Sequence, residues 1–560
     1  MTQKDLQLLQ SLPRRISHRR RKSDLAGDGK VFSVMVKCGT MFGQVPESLR
    51  KTELTGKVWR AMRVLENLKP ERVFYFFEEI CRIPHGSGNT GRISNYLAEF
   101  AAQRGLEHYQ DAVGNVIIIK EASKGYEDHP AVMLQGHMDM VAVKKPDCDI
   151  DMEKEGLRLG THGDWIYAEG TSLGGDDGIA VACGLALLDG SGYKHPRIEL
   201  VITVDEEVGM DGARAIDFAP CRANTLINLD SEEEGIFLAG CAGGARVNFG
   251  LKYGESSLAG IPCSIEVAGL KGGHSGAEIH KGRGNANCLL GRILKRLEAS
   301  ADFGVESLWG GLADNAIPRQ ARAQLLITGY RSDCGEYRYG QDGFEEEACR
   351  ALIGELLTRT GKELSAELEQ KDPDVRIEYS FAEAEERKCM EEKDAGRIAS
   401  FLNAVPDGVQ AMSGAMEGLV ETSLNLGMLR CKEGELKMGI SVRSSLESAK
   451  YALIRRLKSL GDLAGAKVEV TGDYPGWAYR SQSPLREKMT RVYEEMFHKK
   501  PEIQAIHAGL ECGLFSDKIP DLDCVSLGPD MKNIHTTEEE LCVSSTERMW
   551  NFLIKLLEEM

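Results

Sequence analysis

Ile198-Glu199-Leu200-Val201-Ile202-Thr203-Val204-Asp205-Glu206-Glu207 decides how this chain folds. The run up to Val204 is the most apolar strand-like segment in the sequence, and it stops in three consecutive acids. A segment that is apolar nearly throughout, rather than alternating, marks a strand covered on both faces. Three adjacent carboxylates at its tip repel one another unless cations or protonation intervene. A buried strand delivering acids to its end points to an α/β sheet whose site lies at the strand ends. The plain alternative is a solvated acidic loop.

Outward from that strand the same rhythm repeats. Short apolar runs at 116–119, 132–134 and 226–229 read as buried strands, and a small-residue helix spans 178–188. Upstream, Val73, Phe74, Phe76, Phe77, Ile80 and Cys81 mark one face of a helix between Pro70 and Pro84, and Ile93, Leu97, Phe100 and Ala101 mark another. Downstream, a helix over 484–497 is followed by runs at 503–506 and 524–527. The last helix opens with Ser544-Ser545-Thr546-Glu547, which has the pattern of a capping box. From about 246 to 474 the character changes. Ile265-Glu266-Val267, 324–327 and 436–442 alternate as antiparallel strands do, beside charged helices over 345–359 and 449–460. The expected architecture is thus an α/β body, residues 66–245 and 475–560, interrupted by an inserted α+β domain, residues 246–474. A basic extension, disordered or non-native, is expected over 1–65. No exact internal repeat is visible.

Bulk composition narrows the function. With 560 residues, 42% hydrophobic and 28% charged, the chain can bury a real core. No run of about 18 apolar residues is present, so no membrane span is expected. Net charge is -17. Residues 1–61 hold 13 Lys and Arg against 5 Asp and Glu, so the remainder is more acidic still. Such a body argues against a nucleic-acid surface. Arg14-Arg15 and Arg19-Arg20-Arg21-Lys22 lack the apolar segment of a secretory signal, and Met62 is an alternative start. Fifteen dispersed cysteines without a C-x-x-C pair fit reduced thiols in the cytoplasm.

The chemistry sits in five short segments, each at the end of an apolar run. Gln135-Gly136-His137-Met138-Asp139 offers an imidazole with a carboxylate near enough to orient it. Gly174-Gly175-Asp176-Asp177-Gly178 offers a tight turn, where a carboxylate can be shared by two metals or can simply face a helix start. In Asp205-Glu206-Glu207 one glutamate can ligate while its neighbour acts as general base on water. Asp230 closes the next strand, and His535 lies in a late loop. Imidazole plus carboxylate suits zinc or a similar divalent ion. There is no HExxH, P-loop or GxSxG, since Gly273-His274-Ser275-Gly276-Ala277 lacks the final glycine. The residues imply a metallohydrolase.

Taken in order, these segments resemble the di-zinc aminopeptidase/carboxypeptidase/aminoacylase superfamily, and most closely its aminoacyl-histidine (Xaa-His, or cytosolic non-specific) dipeptidase branch. The resemblance also rests on Asp314-Asn315-Ala316-Ile317-Pro318 and Ile506-His507-Ala508-Gly509-Leu510-Glu511-Cys512-Gly513, and runs from about residue 66 to the C-terminus. It implies that His137 and Glu207 or Asp230 divide between two Zn2+ ions, with Co2+ or Mn2+ as substitutes. Asp176 would bridge the ions through a cis Asp176–Asp177 peptide, and His535 would complete one shell. Asp139 would orient His137, and Glu206 would be the base. The inserted domain would act as a lid. From it, His274 would support an oxyanion, while Asn315 and Arg443 bind substrate and Gly509 offers backbone contact from the body. Thr537 stands where the family more often has proline. The implied activity is hydrolysis of dipeptides, Xaa-His or broad. Alternatives are an aminoacylase, deacetylase or tripeptidase of the same superfamily, or a non-catalytic binding member. Its partners would be dipeptides and, as a homodimer, a second copy of itself.

Overall fold

The computed structural model describes residues 63–560, so the expectations for the basic extension lie outside the described residues up to Ala61 and Met62. At its described end Leu65 is already buried, and its backbone N–H donates to the Glu78 carboxylate. None of the described helices is long and apolar enough to cross a membrane.

Helices α1 (Glu71–Cys81) and α2 (Gly91–Gln103) bury the apolar stripes expected of them, Phe74, Phe77 and Ile80 on the first and Ile93, Leu97 and Phe100 on the second. Then come strands β1 (Glu107–Gln110), β2 (Val116–Lys120), β3 (Val132–His137), β4 (Leu159–His162) and β5 (Trp165–Ala168). Helix α3 (Gly175–Asp189) is buried over nearly its whole length, in keeping with small and aliphatic residues on every side. Strand β6 (Ile198–Thr203), helix α4 (Asp211–Ala215), and strands β7 (Thr225–Asn228) and β8 (Ile236–Cys241) complete the first part.

The chain then crosses into a second sheet. Its elements in order are β9 (Gly243–Lys252), β10 (Glu255–Ala268), β11 (Gly273–His274), α5 (Ala286–Glu298), β12 (Ala301–Gly310), β13 (Ala316–Ile317), β14 (Ala321–Ser332) and β15 (Gly335–Arg338). After these come α6 (Glu346–Leu368), β16 (Arg376–Phe381), β17 (Glu385–Met390), α7 (Glu392–Ala404), β18 (Gly408–Met412), β19 (Val420–Lys432), β20 (Glu435–Ser444), α8 (Glu447–Ala464) and β21 (Lys467–Tyr474). Helix α6 outruns its expected end because Thr360 and Leu364 continue its buried face. On its exposed side Glu363 and Glu367 pair with Arg296 and Arg292. The return supplies α9 (Pro484–Phe497), β22 (Glu502–Ile506), α10 (Glu511–Lys518), β23 (Asp523–Ser526), β24 (Met531–Lys532), β25 (Glu540–Cys542) and α11 (Val543–Glu558).

The first sheet runs β1-β2-β6-β3-β7-β23-β8-β22. Its centre is parallel: β6 and β7 flank β3, and β23 joins β7 in the same sense. Ile118, Leu134 and Ile202 pack into a core with α1, α3, α9 and α11. Ile117, Met133 and Val201 pack the other way, against Leu514 and Phe515 of α10. Both faces are therefore covered, which explains the absence of alternation in these strands.

The second sheet has eleven strands, eight of them on the path β16-β10-β14-β12-β19-β20-β9-β21 with β15, β17 and β18 pairing beside it, and it has its own core, while β11 and β13 form a separate two-stranded pair. It contains one βαββαβ arrangement twice. In the first, β10-α5-β12-β14-α6-β16 lie in the order β16-β10-β14-β12. In the second, β9, α7, β19, β20, α8 and β21 lie in the order β19-β20-β9-β21, with the first unit inserted after β9. The two join edge to edge where Trp309 faces Arg430 across an antiparallel pair.

One expectation fails at the C-terminal helix. No side chain at its N-cap closes a capping box, because β25 runs straight into α11 and leaves Cys542 as the extended N-cap residue. Ser544 already lies inside the first turn. Its N–H donates instead to Asp164, from the turn between β4 and β5, at 3.1 Å.

Candidate metal centre

His137 is the last residue of β3 and almost fully buried. Its Nδ1 lies 3.0 Å from the carbonyl oxygen of Asp139, which can only accept, so Nδ1 carries a proton and Nε2 is turned toward the neighbouring carboxylates. There Nε2 is 3.0 Å from Asp176 Oδ1 and 3.4 Å from Asp230 Oδ1. Asp176 turns its other oxygen to His535 Nε2 at 3.1 Å, and His535 Nε2 is 2.9 Å from Glu207 Oε1. Two groups of possible ligands result, His137-Asp176-Asp230 and Asp176-Glu207-His535, sharing Asp176. The Asp176–Asp177 peptide is cis.

The electrostatics are those of a site that needs positive charge. Burial pulls the His137 imidazole down, but Asp139, Asp176 and Asp230 outweigh it and hold its pKa well above the ordinary value. Hydrogen bonds to Asp176 and Glu207 raise His535 to about 10. Burial raises the Asp230 carboxyl to about 6. Glu206 is likewise pushed well up by burial, reinforced by Asp230, Glu511 and Glu207 against His137. Among the described residues, the ion-pair partners of Asp176, Asp230 and Glu207 are these two imidazoles, with no Lys or Arg. A donor set of two imidazoles and three clustered carboxylates fits a pair of divalent ions.

The structure gives Asp139 closer work than orienting His137. Its carboxylate stands 3.5 Å from His137 Nδ1. It accepts the backbone N–H of Glu206 at 3.1 Å, that of Glu207 at 3.4 Å, and the hydroxyl of Ser87 at 2.8 Å. Asp139 thus fastens the turn that carries Glu206 and Glu207. Gly88 N–H holds the same turn through Asp205, whose backbone is left-handed at φ 54°.

Three contributors were missed in the sequence. Ser87 had one signal, the small-residue turn Gly86-Ser87-Gly88 directly after the first helix. Glu511 lies fully buried beneath the strand ends, accepting from Gln135 and Thr203, and burial raises its carboxyl to about 8. Glu539 accepts the consecutive backbone N–H groups of Leu173, Gly174, Gly175 and Asp176 at 2.8, 3.1, 2.8 and 3.4 Å. Neither glutamate looks different from a surface acid in sequence.

The remaining candidates lie on β11, in the loop before β13, on β20 of the second sheet and in the loop after β22. His274 on β11 accepts the N–H of Gly276 and of Ala277 at Nδ1, at 3.3 and 3.0 Å, which leaves the ring proton on Nε2. Burial and Arg443 lower its pKa, so it is a neutral donor. Asn315 is exposed beside it, and its carbonyl accepts from Ser275 N–H. Arg443 is buried with Nη1 3.2 Å from the Tyr474 hydroxyl, while its Nε has no partner among the described residues. Gly509 lies against the same ring, where a Cβ would come within 2.9 Å of Tyr474. His507 reaches across from the first sheet to Ser423 at 2.7 Å. Among the described residues no hydrogen bond joins His274 or Arg443 to the five candidate ligands. The loop from His507 to Glu511 spans between the two groups.

Against families of known proteins, the description "Peptidase family M20/M25/M40" matches residues 133–559. The cytosol non-specific dipeptidase of Escherichia coli (strain K12) is 36% identical over 503 residues, covering 89% of this chain and 99% of that one. Among solved structures, aminoacylhistidine dipeptidase from Vibrio alginolyticus is 34% identical with a TM-score of 0.81, over 89% of this chain and 98% of that one. Aminopeptidase PepT from Bacillus cereus ATCC 10987 is similar in fold, at 16% identity and a TM-score of 0.50, over 88% and 99% of the two chains.

Proposed function

The chain belongs to peptidase family M20/M25/M40, and on that premise we propose its function: it is a metal-dependent hydrolase that cleaves dipeptides. The observation that carries the mechanism is the pair of ligand groups sharing Asp176. His137 and Asp230 would hold one ion, Glu207 and His535 the other, with Asp176 between them. Zinc suits this mixed nitrogen and oxygen set, and Co2+ or Mn2+ would substitute. When bound, such a metal pair makes water acidic enough to be a nucleophile at neutral pH and polarises the scissile carbonyl.

Every other task falls to the chain's own side chains. Glu206 sits beside Glu207 in the turn that Asp139 fastens and belongs to neither ligand group, so its carboxylate would take the proton of the attacking water and return it to the leaving amine. His274 donates its Nε2–H to the developing oxyanion, its tautomer fixed by the two amides on Nδ1. The unpartnered Nε of Arg443 favours a two-point grip on the substrate's terminal carboxylate. Asn315 and the Gly509 backbone would contact the rest of a short peptide, and the second sheet would act as the lid that excludes longer ones.

The Escherichia coli and Vibrio alginolyticus relatives, at 36% and 34% identity, carry names of dipeptidases, one non-specific and one aminoacylhistidine. They support dipeptides over N-acyl amino acids or tripeptides and leave Xaa-His and broad specificity both open. The cytosolic name of the first supports a cytoplasmic location. The test is metal analysis of the purified protein together with kcat/KM for Xaa-His dipeptides, other dipeptides, N-acyl amino acids and tripeptides. Two divalent ions per chain and highest kcat/KM on dipeptides are expected. Preference for an N-acyl amino acid or a tripeptide would overturn the substrate class, and no turnover of any would leave a binding protein.

A further inference from the structure

Glu539 stands in the acidic run Glu538-Glu539-Glu540, on the loop between β24 and β25 that also carries His535. Its neighbours behave as surface acids, Glu538 pairing with Lys145 and Glu540 with His162. Glu539 is different. Its exposure is 3%, and no Lys or Arg among the described residues pairs with it. A carboxylate that deep needs hydrogen-bond donors, and it has four in sequence. Oε2 takes the N–H of Leu173 and Gly174, and Oε1 takes those of Gly175 and Asp176.

Consecutive amides converge on one anion only when the backbone curls, and Gly174 supplies the curl with a left-handed φ of 68°. These are also amides that the start of α3 would otherwise leave without partners. The last of the four belongs to Asp176, the residue common to both ligand groups. One short loop therefore presents His535 to the cleft and, four residues on, grips the turn that presents Asp176.

We infer that Glu539 is a positioning residue for the metal pair: it locks the Leu173–Asp176 turn to the His535 loop, so that Asp176 and His535 face one ion at fixed separation. The inference rests on the reading of these two residues as ligands. Metal affinity depends steeply on how ligands are held, and disturbing the groups that orient them typically costs about 10–100-fold. An ordinary helix cap would lower the stability of the metal-free protein and leave its zinc affinity alone.

The test is zinc titration of full-length metal-free protein against a competing chelator, with the Tm of the same metal-free samples. Wild type, Glu539→Gln and Glu539→Asp are compared. Glutamine keeps the size but turns an N–H2 toward donors, whereas aspartate keeps the charge on a shorter arm. Two zinc ions should bind wild type. In E539Q one of the two should bind about 10–100-fold more weakly, with E539D between. Excess zinc should restore kcat in E539Q with KM unmoved. Wild-type affinity at both sites in the two variants, whatever happens to Tm, overturns the inference. If E539Q does not fold, E539D decides alone: weakened zinc supports the role, unchanged zinc overturns it. Wild type that takes up no divalent metal would instead remove the reading of the centre itself, and the inference with it.

Discussion

Asp176 Oδ2 and His535 Nε2 meet at 3.1 Å across 359 residues of sequence, while the second oxygen of the same carboxylate faces His137. One short side chain thus belongs to two ligand groups. Its removal should be felt at both, which separates it from every other candidate.

Asp176→Ala should strip the protein of both ions. Metal content after dialysis, measured by mass spectrometry on purified protein, should fall to near zero. Retention of two ions per chain would exclude the shared role.

Glu206→Gln should do the opposite, leaving metal content normal and removing turnover. Loss of a general base commonly costs about 10²–10⁴-fold in rate. A kcat within a few-fold of wild type would show that another group takes the proton.

His274→Ala should lower kcat by about 10²–10³-fold, as loss of an oxyanion donor does, with metal content intact. A rise in KM with unchanged kcat would make His274 a contact felt equally by substrate and transition state.

Arg443→Lys should raise KM for dipeptides about 10–100-fold, since a charge-assisted hydrogen bond contributes about 1.5–3 kcal/mol. Dipeptide amides, which lack the terminal carboxylate, provide the comparison. If they lose as much as free dipeptides, Arg443 does not bind that carboxylate.

Asp407 makes a pH prediction remote from the centre. Burial raises its carboxyl to about 6, although Leu426 N–H and Asn285 both donate to it. Between the unfolded value near 4 and about 6, the folded chain holds a proton that the unfolded chain has released. Its contribution therefore weakens as pH rises through that window, by on the order of 3 kcal/mol in all. Asp407→Asn keeps the acceptor oxygen and removes the charge. Its Tm should fall less than wild type's between pH 4 and 7, and parallel curves would rule out the assignment.

Three of the five candidate ligands were legible because each lies at or near the end of a run apolar enough to be a buried strand, whereas Asp176 at the start of α3 and His535 in the loop after β24 rested on the resemblance. His137 and Asp230 follow from β3 and β7 in this way, and Glu207 from β6. What was not legible has physical causes. Glu539 and Glu511 became buried through contacts with distant segments, which an acid's neighbours in sequence do not reveal. Asp164 stays exposed, but it too acts through a contact distant in sequence when it displaces the expected capping box. The doubled βαββαβ arrangement escaped notice because its second copy is split, with β9 separated from α7 by the whole of the first copy. What recurs there is strand order rather than residues.

Strand β23 lies between β7 and β8 although it is made almost last. While the chain is being synthesised, β7 and β8 emerge early with the space between them unfilled, and unpaired strand edges of this kind invite association with other chains. Domains generally fold as units during synthesis, and the second sheet, with a core of its own, has all of its strands before β23 appears. The sheet that holds the candidate ligands is completed only when Asp523–Ser526 slides into place. A chain truncated before that strand would still pair β6, β3 and β7, with His137, Glu207 and Asp230 at or near their ends, but would lose His535 and leave β7 with an open edge.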